Sequence, residues 1–168
     1  RRGGPAGESP GPGVSHVALR PHHLLCLLTF AGRGYNPAFT ANLEAVAARI
    51  GRGAPIVIVD GPDDICAPLL ADRTAHCRHA DVVERDRRAA RDVEAVLGHP
   101  VEAGVTLAFD RATIARMRAA FAGGRLRSGC AGCGWGAFCS SLAADGFRAV
   151  RLHAADARPR GAVSAGRR

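Results

Sequence analysis

The sequence predicts an α+β fold that is mostly helical: one domain with a minimal two-strand sheet and a cysteine-rich C-terminal segment. Three observations carry this. Apolar residues recur at helical spacing in four segments, each bounded by a capping residue, a proline or a glycine. Two short runs, "PIVIVDGP" and "VTLAF", are β-rich and too short for helices. A chain of 168 residues with 47% hydrophobic and 23% charged side chains is long enough to bury a core and reads as soluble and globular.

Residues 1–16 and 154–168, rich in Gly, Pro, Ala and Arg, read as disordered tails around a domain spanning 17–153. Pro21 suits the first turn of a helix whose body is "HHLLCLLTF". After a Gly-rich loop, Asn36 caps and Pro37 opens a second helix, with Phe39, Leu43, Val46 and Ile50 on one face and Gly51 at its end. Ile56 to Val59 reads as a buried strand entering a Gly-Pro turn. Asp81 is expected to cap a third helix with Val83, Ala90, Val93 and Leu97 inward and Gly98 closing it. "VTLAF" is the second strand. Asp110 then caps a helix carrying Ile114, Met117 and Phe121 and closed by Gly123-Gly124, and a last short helix runs through "FCSSLAA".

The formal charge of +8 invites a nucleic-acid reading, but its distribution weakens it. All 23 basic residues are Arg, and six of them lie in the tails; residues 16–153 hold 17 Arg against 13 acids. With aromatics at 5%, platforms for stacking bases are scarce. No apolar run follows the charged start, and the longest apolar patch, "LLCLL", is far too short to span a bilayer. The expectation is a cytoplasmic protein that engages neither membrane nor nucleic acid. In such a compartment clustered cysteines bind metal or do redox work more often than they form disulfides.

Three of six cysteines fall within "CAGCGWGAFC". A CxxC turn aims both sulfurs at one centre, and Gly132 and Gly134 are expected to supply the positive φ angles it needs. Cys139 adds a third thiol, and Trp135 and Phe138 wall the site from water. A four-ligand site still lacks one donor, for which Cys66 and Cys77 are the candidates. The expected ligand set is therefore drawn from Cys66, Cys77, Cys130, Cys133 and Cys139. Cys26, among leucines, reads equally well as a small core residue. Uneven spacing and an apolar wall favour an iron–sulfur cluster over zinc, which prefers two close pairs.

"RPHHLLC" places His22 and His23 in the first turn of a helix, where the positive end of the macrodipole favours neutral imidazole. His22 and Cys26 share a face, and His23 nearly does. With "GPDDICAPL" and the closing "CAGCGW…C", this opening resembles the bacterial and archaeal family called domain of unknown function 1284. The likeness runs from about Arg20 to Leu152. It marks Arg20, His22, His23, Cys26, Gly32, Gly34 and Tyr35, then Asp63, Asp64, Ile65 and Cys66, then Cys130, Cys133, Trp135 and Cys139, with Cys77 at looser spacing. The resemblance implies an iron–sulfur cluster of unknown nuclearity. One departure matters: many relatives carry a further cysteine just before the proline, where this chain has Ala67 ahead of Pro68.

Asp63 and Asp64 have two readings, capping the next short helix or fixing a histidine tautomer from behind. The second requires the two segments to meet. Functionally, the leading expectation is a small iron–sulfur protein for electron transfer or redox sensing, with an unidentified redox or protein partner. A zinc-held structural or interaction module is the alternative. A metal- or thiol-dependent enzyme using His22, His23 and Cys26 is the third; the chain shows no phosphate loop, nucleotide fingerprint or nucleophile elbow.

Overall fold

The computed structural model describes residues 15–154, so both predicted tails lie essentially outside the described residues. The sheet has three strands rather than two: β1 (Val17–Leu19), β2 (Ile56–Ile58) and β3 (Thr106–Leu107), in that spatial order. β1 pairs parallel to β2, with Val17 opposite Ile56, and β3 pairs antiparallel, with Leu107 opposite Ile56. β1 escaped the sequence reading because three residues display no periodicity; its partner strand makes it a strand. Its parallel pairing needs a crossover. That crossover is α1 (Pro21–Leu28) and α2 (Pro37–Gly51).

α2 begins as its sequence dictates, with the Asn36 side chain accepting from the Phe39 N–H at 2.8 Å. α4 (Arg111–Ala122) is capped in the same way by Asp110, which accepts from the Thr113 N–H at 2.7 Å. α5 (Gly136–Ala144) closes the fold. The core packs the inner residues of the sheet, including Val17, Leu19, Ile56 and Ile58, with Met117 and Phe121 of α4. α1 is its central helix: Leu24, Leu25, Leu27 and Leu28 are all buried, as expected of a helix apolar on nearly every side.

α3 (Ala80–Leu97) corrects the sequence reading twice. It starts one residue before Asp81, with His79 at the cap position and no side-chain cap. It also turns a different face inward: Val82, Asp86, Ala89, Val93 and Leu97 are buried, while Val83 is 39% exposed. A buried carboxylate causes this. Asp86 reaches Arg20 and His22 across the α1–α3 interface, and meeting those groups outweighs burying one more valine. Among the described residues, no helix is long and apolar enough to cross a membrane.

Candidate metal centre

The sequence around the closing cysteines folds as a chain of tight turns. The Cys133 N–H donates to the Cys130 carbonyl at 3.0 Å, the Gly136 N–H to the Cys133 carbonyl at 3.0 Å, and the Cys139 N–H to the Trp135 carbonyl at 2.9 Å. Gly132, at φ +73°, supplies the left-handed residue that lets the CxxC turn close. Gly134 does not adopt positive φ, so one glycine suffices. The turn is held against α3 by Ser128, whose N–H and hydroxyl both donate to Asp92 at 2.9 and 2.7 Å. Gly129 lies so close to α3 that an added Cβ would stand 3.0 Å from the Ala89 Cβ.

Between this turn, α1, the 3₁₀ turn Ala67–Leu69 that follows Cys66, and the 3₁₀ turn His76–Arg78 lies a cavity of about 110 Å³. All six cysteines line it, with His22, His23 and His76. The five thiols expected from the sequence thus share one cavity, and Cys26 joins them. Cys26 is exposed although its helix is the centre of the core, because its surface faces this void. All six are free thiols.

The thiols fall into two groups. Burial, then the adjacent thiols Cys130, Cys133 and Cys139, push Cys26 well above the ordinary thiol value. Cys130 is likewise raised by burial, opposed by the Arg127 guanidinium beside it. The Thr29 hydroxyl, one helical turn past Cys26, donates to the Cys139 sulfur at 3.3 Å. The second group is Cys66 with Cys77: burial first, then the Asp63 carboxylate and the neighbouring Cys77, push Cys66 up to about 12. Among the described residues, the donor atoms of His23, Asp63 and Cys66 all lie within 4.8 Å of one another, a spacing one ion can bridge. Cys26, Cys130, Cys133 and Cys139 do not form such a set.

Each histidine is held from behind by a carboxylate. His23 Nδ1 lies 2.7 Å from Asp63 Oδ2, and His22 Nδ1 lies 2.7 Å from Asp86 Oδ1. The first contact joins the "HH" and "DD" segments as the tautomer-fixing reading required, and Asp63 also fulfils the other reading by accepting from the N–H groups of Ile65 and Cys66 at 3.0 and 3.1 Å. Burial lowers His22 to about 4 despite Asp86, so its ring is neutral near pH 7. Burial disfavours the ionised Asp86, yet the bonds from His22 and Arg20 outweigh it and hold its carboxyl below the usual range. Arg20 sits at the hub, 1% exposed, donating to Asp86 through Nε at 2.8 Å and to the Cys77 carbonyl through Nη1 at 2.6 Å. Its N–H in turn donates to Asp63 at 2.8 Å.

An aromatic wall covers the cavity mouth. Tyr35 meets Trp135 and Phe39 edge-on at 6.0 and 5.2 Å between ring centroids, and Trp135 meets Phe138 at 6.0 Å. Arg33 lies over Phe138 at 5.2 Å. Tyr35 is 55% exposed, so this wall is the boundary between cavity and solvent.

Residues that sequence reasoning missed are Asp86, Thr29, Arg85, Arg127 and His76. Asp86 sits in "ERDRRAARD", which looks like any solvated helix face; no local signal marks it. Thr29 reads in the sequence as part of an apolar helix body.

Fold and site together define a small α+β protein built around a cavity of thiols and carboxylate-backed imidazoles, donor groups compatible with metal binding. The chain belongs to the family described as protein of unknown function DUF1284, whose model matches residues 34–139. That span holds five of the six cysteines and leaves His22, His23 and Cys26 before it. No curated protein and no solved structure matches the chain.

Proposed function

We propose that the protein is an iron–sulfur protein serving electron transfer or redox sensing, with Cys26, Cys130, Cys133 and Cys139 as cluster ligands. The observation that carries this reading is the placement of Cys26. A helix otherwise sealed in leucines turns one thiol to an internal void, opposite the three thiols of the closing turn. A packing role would bury that sulfur rather than leave it lining a void. The donor set also fits. Zinc held by thiolates at ~2.3 Å brings its sulfurs to within about 4 Å of each other. Three or more of these thiols do not gather within 4.8 Å, whereas a polynuclear centre takes a wider ring of sulfurs.

A bound cluster would supply one-electron chemistry. The chain's own residues set its environment. Thr29 donates to the Cys139 sulfur, Arg85 and Arg127 favour the ionised forms of Cys26 and Cys130, and the wall of Tyr35, Trp135 and Phe138 limits water. The thiol-enzyme alternative draws less support, because burial and neighbouring thiols push Cys26 away from the low pKa a nucleophile needs. Six free thiols suit a reducing compartment, so we place the protein in the cytoplasm.

The test is anaerobic purification followed by assay of iron, acid-labile sulfide and zinc. Iron with sulfide, lost in Cys26→Ser, supports the reading. Colourless protein with stoichiometric zinc and no sulfide overturns it.

A further inference from the structure

Arg33, Gly34, Tyr35 and Trp135 line the thiol cavity on one side and an open groove on the other. At this point the cavity wall is a single layer of residues. We propose that its outer face is the docking surface for an acidic electron-transfer protein, one whose own exposed one-electron centre is ringed by carboxylates.

Nearness to the thiols comes first. Cys26 and Cys133 act electrostatically on the Tyr35 hydroxyl, and Tyr35 is 55% exposed, so one side chain reaches from the four-thiol group to solvent. Behind Cys26, α1 sends Leu24, Leu27 and Leu28 into the core, which closes that direction. Tyr35 is also the most exposed large apolar side chain among the described residues. Phe39, His76 and Trp135 pin its ring edge-on, at 5.2, 5.9 and 6.0 Å between centroids. A ring fixed in advance loses little freedom on contact, and Tyr, Trp and Arg are the residues that most often anchor protein interfaces.

Charge selects the partner. Arg33, Arg85 and Arg127 all line the cavity, and none meets a carboxylate among the described residues. Arg33 lies over the Phe138 ring, and Arg127 donates to the Gly136 carbonyl and the Ser140 hydroxyl. The charge of Arg85 is felt at Tyr35. Neighbouring carboxylates are already matched: Glu44 in the groove meets Arg151 at 4.0 Å, and Glu84, next to Arg85 on α3, meets Arg87 and Arg88. The wall is left with a positive field, which steers a carboxylate-bearing surface towards it. Electron-transfer encounters bury little area, under about 1,200 Å², so a few aromatic and arginine side chains suffice. On contact one electron passes between the partner's centre and the cluster, and no bond forms or breaks. That transfer rests on the iron–sulfur reading; the docking surface itself does not.

Plant-type ferredoxin, an acidic one-electron protein, is the probe, titrated anaerobically into the full-length protein by calorimetry. It should bind at low salt, and its affinity should fall roughly tenfold or more by ~0.3 M salt. Arg33→Glu should weaken low-salt binding roughly tenfold. Arg87→Glu makes the same change at a 70% exposed side chain lining neither cavity nor groove, and should stay within about twofold. Trp135 is the chain's only tryptophan, so its fluorescence reports on the wall directly. Iodide should quench it more than caesium, and Arg33→Glu should remove that preference. The surface is overturned by absence of ferredoxin binding, by equal losses in the two variants, by tighter binding of an oligothymidylate than of ferredoxin, or by caesium quenching as strong as iodide quenching. Should circular dichroism show Arg33→Glu unfolded, the salt dependence and the two quenchers on wild type decide. A chain that binds ferredoxin in this way yet holds no iron or sulfide after reconstitution defeats the cluster reading alone. One that holds both and binds no ferredoxin defeats the surface alone.

Discussion

Replacing Asp86 by alanine removes one side chain and disconnects α3 from the start of α1. Its carboxylate lies 2.8 and 2.7 Å from Nε and Nη2 of Arg20, 2.7 Å from His22 Nδ1 and 3.1 Å from the His22 N–H, where it caps α1 from another helix. Arg20 is 1% exposed, so the guanidinium left behind has no route to water. Breaking a buried pair from one side costs about 3–5 kcal/mol, against a typical total stability of roughly 5–15 kcal/mol. In urea, with m about 2 kcal/mol/M, the midpoint should fall by ~2 M. The cost belongs to the orphaned charge and not to the lost contact. Arg20→Met/Asp86→Leu should therefore recover most of it, giving a large favourable coupling in the double-mutant cycle. Far-UV circular dichroism at graded urea is the assay. A shift of under about 1 kcal/mol for Asp86→Ala, or single-variant costs that simply add, would refute the account of α3's orientation.

Metal-free protein should lose stability in acid through His22. The unfolded imidazole titrates near 6.5 and the folded one near 4, so the unfolded chain takes up a proton that the folded state refuses. Stability is full above 6.5 and falls by about 3 kcal/mol as pH drops towards 4. His22→Gln should flatten that slope in urea titrations across the same range, and an unchanged slope would exclude His22 as its source. Gly129→Ala forces a Cβ to 3.0 Å from the Ala89 Cβ and 3.1 Å from the Arg85 carbonyl, so it should cost about 1–3 kcal/mol and displace Cys130. Metal content and thermal melting would both report it, and normal values for both would refute the tight seat. Thr29→Val removes the donor to the Cys139 sulfur and should make the potential of a bound cluster more negative, by ~40 mV if the full ~1 kcal/mol of that bond acts on the reduced state. Voltammetry of the reconstituted variant measures it, and a shift in the opposite direction would remove Thr29 from the site.

Much of the architecture was legible in the sequence because it is written in local chemistry. Asn36 and Asp110 each accept from a backbone N–H three residues on, and a proline, a glycine or apolar spacing marks the bounds of α1, α2, α4 and α5. The CxxC turn and its glycine are equally local, since Cys130, Gly132 and Cys133 meet within four residues. The convergence of "HH" with "DD" was legible as a condition, because an imidazole in a helix's first turn calls for a partner for Nδ1.

What tertiary structure alone decided is the pairing of groups distant in sequence. β1 is a strand only beside β2, and α3 turns Asp86 inward only because Arg20 and His22 wait there, 66 and 64 residues away. Cys26 looks like core in a run of leucines; its exposure to the cavity follows from where the closing turn docks. Periodicity reports how much apolar surface a segment must bury, and it says nothing about a buried charge, whose energy depends wholly on the partner that meets it. For that reason the thiols and histidines can be named from the sequence, while their meeting around one cavity, with Asp63 and Asp86 behind the histidines, came from packing.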